Sequence, residues 1–316
     1  MHNMINLVRN ENMKLYGRLS TWVMMAFLII LIILTGFITS FTANRTSNDN
    51  WREELEKENE SLKSTVSSMP DVETSKEQYA NTIKINEYRL EHNIPPTQTT
   101  SLWGFMSSAA GLISVISLFT IVIGGGMVST EFSEGTIKLL LIRPSSRWKI
   151  LLSKYISTLL ATLFMLAILF IVSFIVGGIL FGFTGISEPY LRYINGNVRE
   201  VSMVGYVFSL YGYNCVDLIM MATFAFMIST VFRNSSLAIG LAIFLMFTGS
   251  TLVMALSKYN WVKYILFANT NLKMYAEGAP IIKGMTLGFS ITILIIYYIL
   301  FNAISWIGFS KRDITA

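Results

Sequence analysis

Six stretches of this chain stay apolar for about twenty residues or more, and nothing else in it restricts the fold as strongly. A helix needs about 20 residues to cross a hydrocarbon core of roughly 30 Å, where every backbone polar group must be satisfied inside the segment. Residues 21–41, 102–129, 154–183, 206–232, 237–257 and 285–309 reach that length. No charge lies between Trp22 and Phe41, whereas the fourth stretch carries Asn214 and Asp217. Charged residues are 14% of the chain and hydrophobic ones 53%. Soluble domains average about 25% charged, so a pair of soluble domains is excluded. The expected fold class is an all-α integral membrane protein with six transmembrane helices. Residues 1–20 carry mixed charge, the apolar run after them is long, and no small-residue cleavage pattern follows, so that run reads as a retained span rather than a signal peptide.

Sidedness follows from where short loops keep Lys and Arg. Arg9, Lys14 and Arg18 precede the first span; Lys138, Arg143, Arg147, Lys149 and Lys154 follow the second; Arg233 follows the fourth; Lys311 and Arg312 follow the sixth. With six crossings these fall on one face, giving an N-in/C-in arrangement with 233–236 as a cytoplasmic turn and 310–316 as a cytoplasmic tail. Lys258, Lys263, Lys273 and Lys283 in the last outer segment weaken the asymmetry without reversing it. Net charge of +5 averages two compartments and implies no nucleic-acid partner. Cys215 is the single cysteine and His2 and His92 are the only histidines, which excludes an intrachain disulfide and argues against a metal centre.

Residues 42–101 read as an extracellular helical insertion. Acidic residues dominate it, and 51–66 is rich in helix formers with Leu55 and Leu62 seven apart. Pro70 ends that helix, and 83–90 reads as a second one before Pro95 and Pro96. A rigid spacer is the plain reading and ligand capture the sharper one. Residues 184–205 read as an outer loop. Residues 258–284, with Trp261 and Phe267, are too apolar for a free loop and are expected to lie on or dip into the outer leaflet.

The segment 130–153 reads as a cytoplasmic element of two short helices joined at Pro144. Gly135 is expected to bend the chain, since glycine in a helix costs about 1 kcal/mol relative to alanine. Leu139, Leu140 and Leu141 form an apolar patch outside the membrane that needs a cover. Ser145 or Ser146 is placed to cap the third span, with Arg147, Lys149 and Lys154 at headgroup level against anionic lipid. A basic loop that merely anchors the span accounts for these charges, but not for Glu131, Gly135, Thr136 and the leucines.

This segment resembles the one that follows the second span in ABC-2 type permeases, the membrane subunits of a class of ABC transporters, mostly exporters. The resemblance is carried by Glu131-Phe132, Gly135-Thr136, Leu139 to Leu141, Arg143-Pro144, Arg147 and Lys154. Residues 7–18, with Asn10, Glu11 and Lys14, resemble the amphipathic interface helix at the N-terminus of that family, and 231–236 resembles its inner turn between spans four and five. The long first outer segment departs from many members. The resemblance implies a bacterial plasma-membrane permease working as a homo- or heterodimer on a separate cytoplasmic ABC ATPase. Glu131, Phe132, Gly135, Thr136, Leu139, Leu140, Arg143 and Pro144 would then seat in the ATPase surface. No phosphate-binding loop is present, so the chain is not expected to be an enzyme or to hold a cofactor itself, and ATP would act through the partner.

Asp217 is the one acid inside a span, with Asn214 three residues before it on the same helix face. Intramembrane acids normally face a cavity or a partner, which makes both candidates for a solute pathway. The competing reading starts the span near Asn214, leaving Asp217 at the headgroups beneath an interfacial helix with Tyr206, Tyr211 and Tyr213. Gly124-Gly125-Gly126 allows close helix approach or a hinge. A gradient-driven secondary transporter, or a non-transporting sensor or immunity protein using the outer helices, stands as the alternative function.

Overall fold

In a computed structural model the chain is described over residues 4–43, 50–68, 73–136, 146–183, 186, 188–194, 196–232, 234–277, 280, 282 and 284–310. Helix α1 (Met4–Tyr16) turns its Leu7, Glu11 and Leu15 inward, one residue per turn on a single face. Its last carbonyls are not left bare: Thr21 Oγ1 donates to Leu15 O at 2.7 Å and Trp22 Nε1 to Tyr16 O at 2.8 Å. Both donors belong to α2 (Leu19–Ala43), so the start of α2 caps the end of α1.

Six helical segments are long and apolar enough to cross a membrane. They are α2; the run of α5 (Leu102–Ala109), a 3-10 turn (Ala110–Leu112), α6 (Ile113–Gly126) and α7 (Ser129–Ser133); α8 (Arg147–Phe181); α9 (Met203–Val231); α10 (Ser235–Ala255); and α13 (Leu287–Ser310). In the second and fourth of these, 67% and 61% of the apolar window is buried, against 17–28% in the others. The second and fourth therefore form the centre of the bundle, and the rest turn broad apolar faces outward as a lipid-contacting shell would. Close approach at the centre comes from small residues. A Cβ on Gly124 would stand 3.3 Å from Thr158 of α8 and 3.4 Å from the Ala222 carbonyl of α9, and one on Gly125 3.0 Å from Ile239 of α10. The triple glycine thus packs three neighbours rather than hinging.

At the end opposite α1, helices α3 (Trp51–Ser68) and α4 (Glu73–His92) pair as a hairpin. Asn86 Nδ2 donates to Asn59 Oδ1 at 3.1 Å in its buried seam, and Lys63 meets Glu87 at 2.9 Å. Helix α4 is longer than the 83–90 segment expected from its apolar residues, because its first turns are polar and carry no period.

The helical class stands, with one addition to the segment 184–205 expected as a loop: β1 (Pro189–Ile194) and β2 (Asn197–Ser202) form an antiparallel hairpin next to Gly196 at φ +88. It docks on α4 through Lys84 Nζ to the Tyr193 hydroxyl, 2.6 Å, and the Tyr88 hydroxyl to Glu200 Oε1, 3.2 Å. Helix α9 starts directly at the end of β2 and is unbroken past Asp217, so no separate interfacial helix ends near Asn214. Tyr206 and Tyr211 are buried on it, and Tyr206 stacks on Tyr190 with ring centroids 3.6 Å apart.

Residues 258–277 pack against the ends of α10 and α13 through a 3-10 turn (Asn260–Tyr264), α11 (Leu266–Asn269) and α12 (Lys273–Ala276). Fully buried Asn269 organises them. Its amide donates to Lys263 O and Ile265 O at 2.8 Å each, and its carbonyl accepts from Ser290 Oγ of α13 at 2.6 Å.

The contact at Gly125 sets a test. Gly125→Val forces a branched side chain into Ile239 and is expected to destabilise the bundle by about 1–3 kcal/mol, the usual range for overpacking. Gly111→Ala, where an added Cβ meets nothing within 4 Å, leaves stability near wild type. Denaturant unfolding of both variants in one detergent measures the difference.

Candidate functional site

Four charged side chains from three separate stretches meet at the α1 end of the bundle. Lys154, on the second turn of α8, lies with its ammonium 2.7 Å from Glu11 Oε2 of α1 and 2.6 Å from Glu131 Oε1 of α7. Lys14, one turn after Glu11, contacts Glu11 Oε1 at 3.1 Å and Glu131 Oε1 at 3.3 Å. The Lys154 side chain is 1% exposed and that of Lys14 41%. A lone ammonium buried like Lys154 would be very costly, but two carboxylates in direct contact offset the lost hydration, and the set of four is neutral. Burial works to raise the Glu11 carboxyl, yet Lys154 and Lys14 outweigh it and hold that carboxyl below its ordinary value of 4.5. The Lys154 position corrects the expectation that it reaches the headgroups. Glu131, assigned above to a docking surface, is buried instead, and its carboxylate faces α1 and α8. Asn10 is half-buried on α1 and takes no part in the ion pairs.

A hydroxyl on the fourth span completes this arrangement. At the break between α6 and α7, Ser229 Oγ of α9 accepts from the backbone N–H groups of Val128 and Ser129, both at 3.0 Å. It also donates to Ser129 Oγ at 3.3 Å. Ser229 is wholly buried and satisfies two donors that a helix break would otherwise orphan. A single serine in an apolar span gave no sequence signal for this role. Beyond α7 the chain emerges: Phe132 is half-buried against the core, and Ser133 to Thr136 are exposed. Gly135 takes φ +72 and Thr136 Oγ1 donates back to Glu131 O at 3.4 Å. Leu139, Leu140, Arg143 and Pro144 lie outside the described residues, as do Leu141, Ser145 and Arg233. Ser146 occupies the N-cap position of α8 without a side-chain capping bond, and Arg147 bonds instead to the Ser310 carbonyl at 3.1 Å.

A second polar feature lies deeper in the bundle. Asp217 and Asn214 share one face of α9 and line a cavity of about 430 Å³ bounded by the second span, α9, α10 and the 258–284 segment. Ser107, Ser114, Ser117, Ser250 and Thr270 supply hydroxyls, with Met221, Met246, Phe247 and Phe267 as apolar wall. Among the described residues no group of three His, Cys, Asp or Glu side chains is placed to hold a metal ion.

A family model described as "Protein of unknown function (DUF2705)" matches residues 76–315. The chain belongs to this family. "Uncharacterized protein YhcI" of Bacillus subtilis (strain 168) is 43% identical over 314 residues, 98% of this chain and 99% of that protein. "Uncharacterized membrane protein YdbK" of the same organism is 34% identical over 214 residues, 67% of this chain and 82% of that one. Six apolar helices, with a relative named as a membrane protein, make the chain a multi-pass membrane protein. The family match includes Glu131, Lys154, Ser229 and Asp217 but begins after α1, so Glu11 and Lys14 belong to a part of the chain outside the matched region.

The charge cluster yields two expected outcomes. Lys154→Met leaves two buried carboxylates sharing only the half-exposed Lys14 as counter-charge and should cost about 3 kcal/mol. Adding Glu11→Gln and Glu131→Gln to that variant should recover most of the loss, as seen by denaturant titration. For pH the sign follows from Glu11: its folded pKa is depressed, so its contribution is complete above the unfolded value of 4.5 and disappears as pH falls through the lower folded one. Wild type should therefore lose stability below about pH 4.5 faster than Glu11→Gln does.

Proposed function

We propose that the chain is the permease subunit of an ATP-driven exporter in the bacterial plasma membrane, with α1 and both termini cytoplasmic and a separate ABC ATPase beneath it. The observation that carries this reading is the ion cluster that joins Glu131 to α1 and α8. It braces the short helix after the second span, which Ser133 also ties to the start of α10 by accepting from Ser235 N–H at 3.4 Å, and leaves Glu134 to Thr136 exposed beyond it. A force applied there passes through Glu131 and Ser129 into three spans at once, which is what a coupling element requires. Two such chains would enclose the pathway, with ATP bound and hydrolysed only by the partner. Opposing motion of the spans then changes access to the polar cavity.

A gradient-driven transporter is the second reading, favoured by one observation: Asp217, an acid midway along α9, lines a cavity. The two readings separate experimentally. Under the first, the chain co-purifies with an ATPase from its native cells, and transport stops with vanadate but survives a protonophore. The reverse pattern with no co-purifying ATPase rejects it.

Gly135 gives a sharper test. Its φ of +72 is strained for a residue with a Cβ, by roughly 1–2 kcal/mol, yet nothing packs against it. Gly135→Val should abolish ATPase association or ATP-dependent transport while leaving bundle stability within about 2 kcal/mol of wild type.

A further inference from the structure

The cavity around Asp217 has the makings of a ligand site that the coupling argument does not use. Asp217 lies midway along α9 and shares the cavity wall with the neutral Thr270. Lys273 also lines the cavity, but its ammonium is engaged 3.0 Å from Glu277. The cavity therefore presents one carboxylate without a counter-cation among the described residues, flanked by an amide and several hydroxyls, opposite a wall of methionine and phenylalanine. A single carboxylate suits a multidentate divalent ion poorly. It suits an ammonium group, which donates its N–H bonds to a carboxylate, an amide oxygen and hydroxyls.

The shape agrees with this. The second span passes through its 3-10 turn, Ala110–Leu112, where Ala110 and Gly111 line the cavity. Gly111, Ser114, Phe247 and Ser250 are exposed while lining it, so its mouth opens sideways between the second span and α10. A volume of about 430 Å³ accommodates a single-chain amphiphile and leaves no room for a folded peptide or polysaccharide. A solute with an apolar tail can reach such a mouth from the bilayer.

We propose that this cavity binds an amphiphilic organic ammonium, its charged head against Asp217 and Asn214 and its apolar chain along Met246, Phe247 and Phe267. The proposal names a substrate class for the transport role above, but it is tested without nucleotide or gradient, so its failure and the failure of that role are distinguishable.

Radiolabelled dodecylammonium is the probe, measured by equilibrium dialysis on the purified chain in nanodiscs of neutral phosphatidylcholine, with empty nanodiscs subtracted. Saturable binding at one site per chain is expected. Asp217→Asn should weaken it about thirtyfold or more, the loss expected when one partner of a buried charge pair is neutralised, and Asp217→Glu should retain it. Gly111→Leu should narrow the mouth and also weaken binding; the backbone there has room for a Cβ, and denaturant unfolding of the variant checks that the bundle is intact. Binding no greater than to empty nanodiscs, equal binding by Asp217→Asn, or equal binding of dodecanoate overturns the proposal.

Discussion

The Lys154 ammonium holds two carboxylates that are distant in the chain, and the whole α1 end of the bundle is arranged around it. Glu11 arrives on an amphipathic helix, Glu131 on the short helix that ends the second span, and Lys154 on the start of the third. In a medium of low dielectric each of these charges alone would be prohibitive. Together they are neutral, and their geometry selects one placement of three elements. Lys14 closes the set from the solvent side. A bundle held by apolar packing alone would allow α1 to slide on the lipid surface, because lipid and leucine are nearly equivalent environments for a helix face. Directional charge contacts remove that freedom.

The second and fourth spans carry the rest. They are the most buried of the six, and both polar features are built on their shared seam. Near one end the Ser229 hydroxyl holds the break between α6 and α7. Farther along, Asp217 and the serines of the second span enclose the cavity. Gly124 and Gly125 stand between the two features and bring α8, α9 and α10 within van der Waals distance of the second span. Close packing therefore runs without a gap from the α7 end of the seam toward the cavity.

How much of this was legible in the sequence depends on what kind of information each feature carries. The six apolar helices were readable from length and charge alone, since the bilayer imposes a coarse rule. Glu131, Glu11 and Lys14 were singled out by motif, but their mutual contact was not, because side chains far apart in sequence leave no local trace of meeting. Lys154 was misplaced for the same reason: a lysine near a span end usually snorkels to the headgroups, and only the convergence of two acids reverses that preference. Asp217 and Asn214 were found as polar residues in an apolar run, and their shared face followed from helical spacing. The hydroxyls opposite them come from other spans and were invisible. The β-hairpin was missed because its twelve paired residues mix charges and aromatics without a clean alternation.

That hairpin has a mechanical consequence. Strand β2 becomes α9 with no intervening residue, and the Tyr190–Tyr206 stack, with Arg192 lying over the second ring at 5.0 Å, stiffens the junction. The hairpin in turn grips α4 at two points. The helix that bears Asp217 is thus continuous with a hairpin that is itself held to α4, like a shaft clamped at one end. To turn that helix would mean carrying the hairpin with it or breaking its hold on α4.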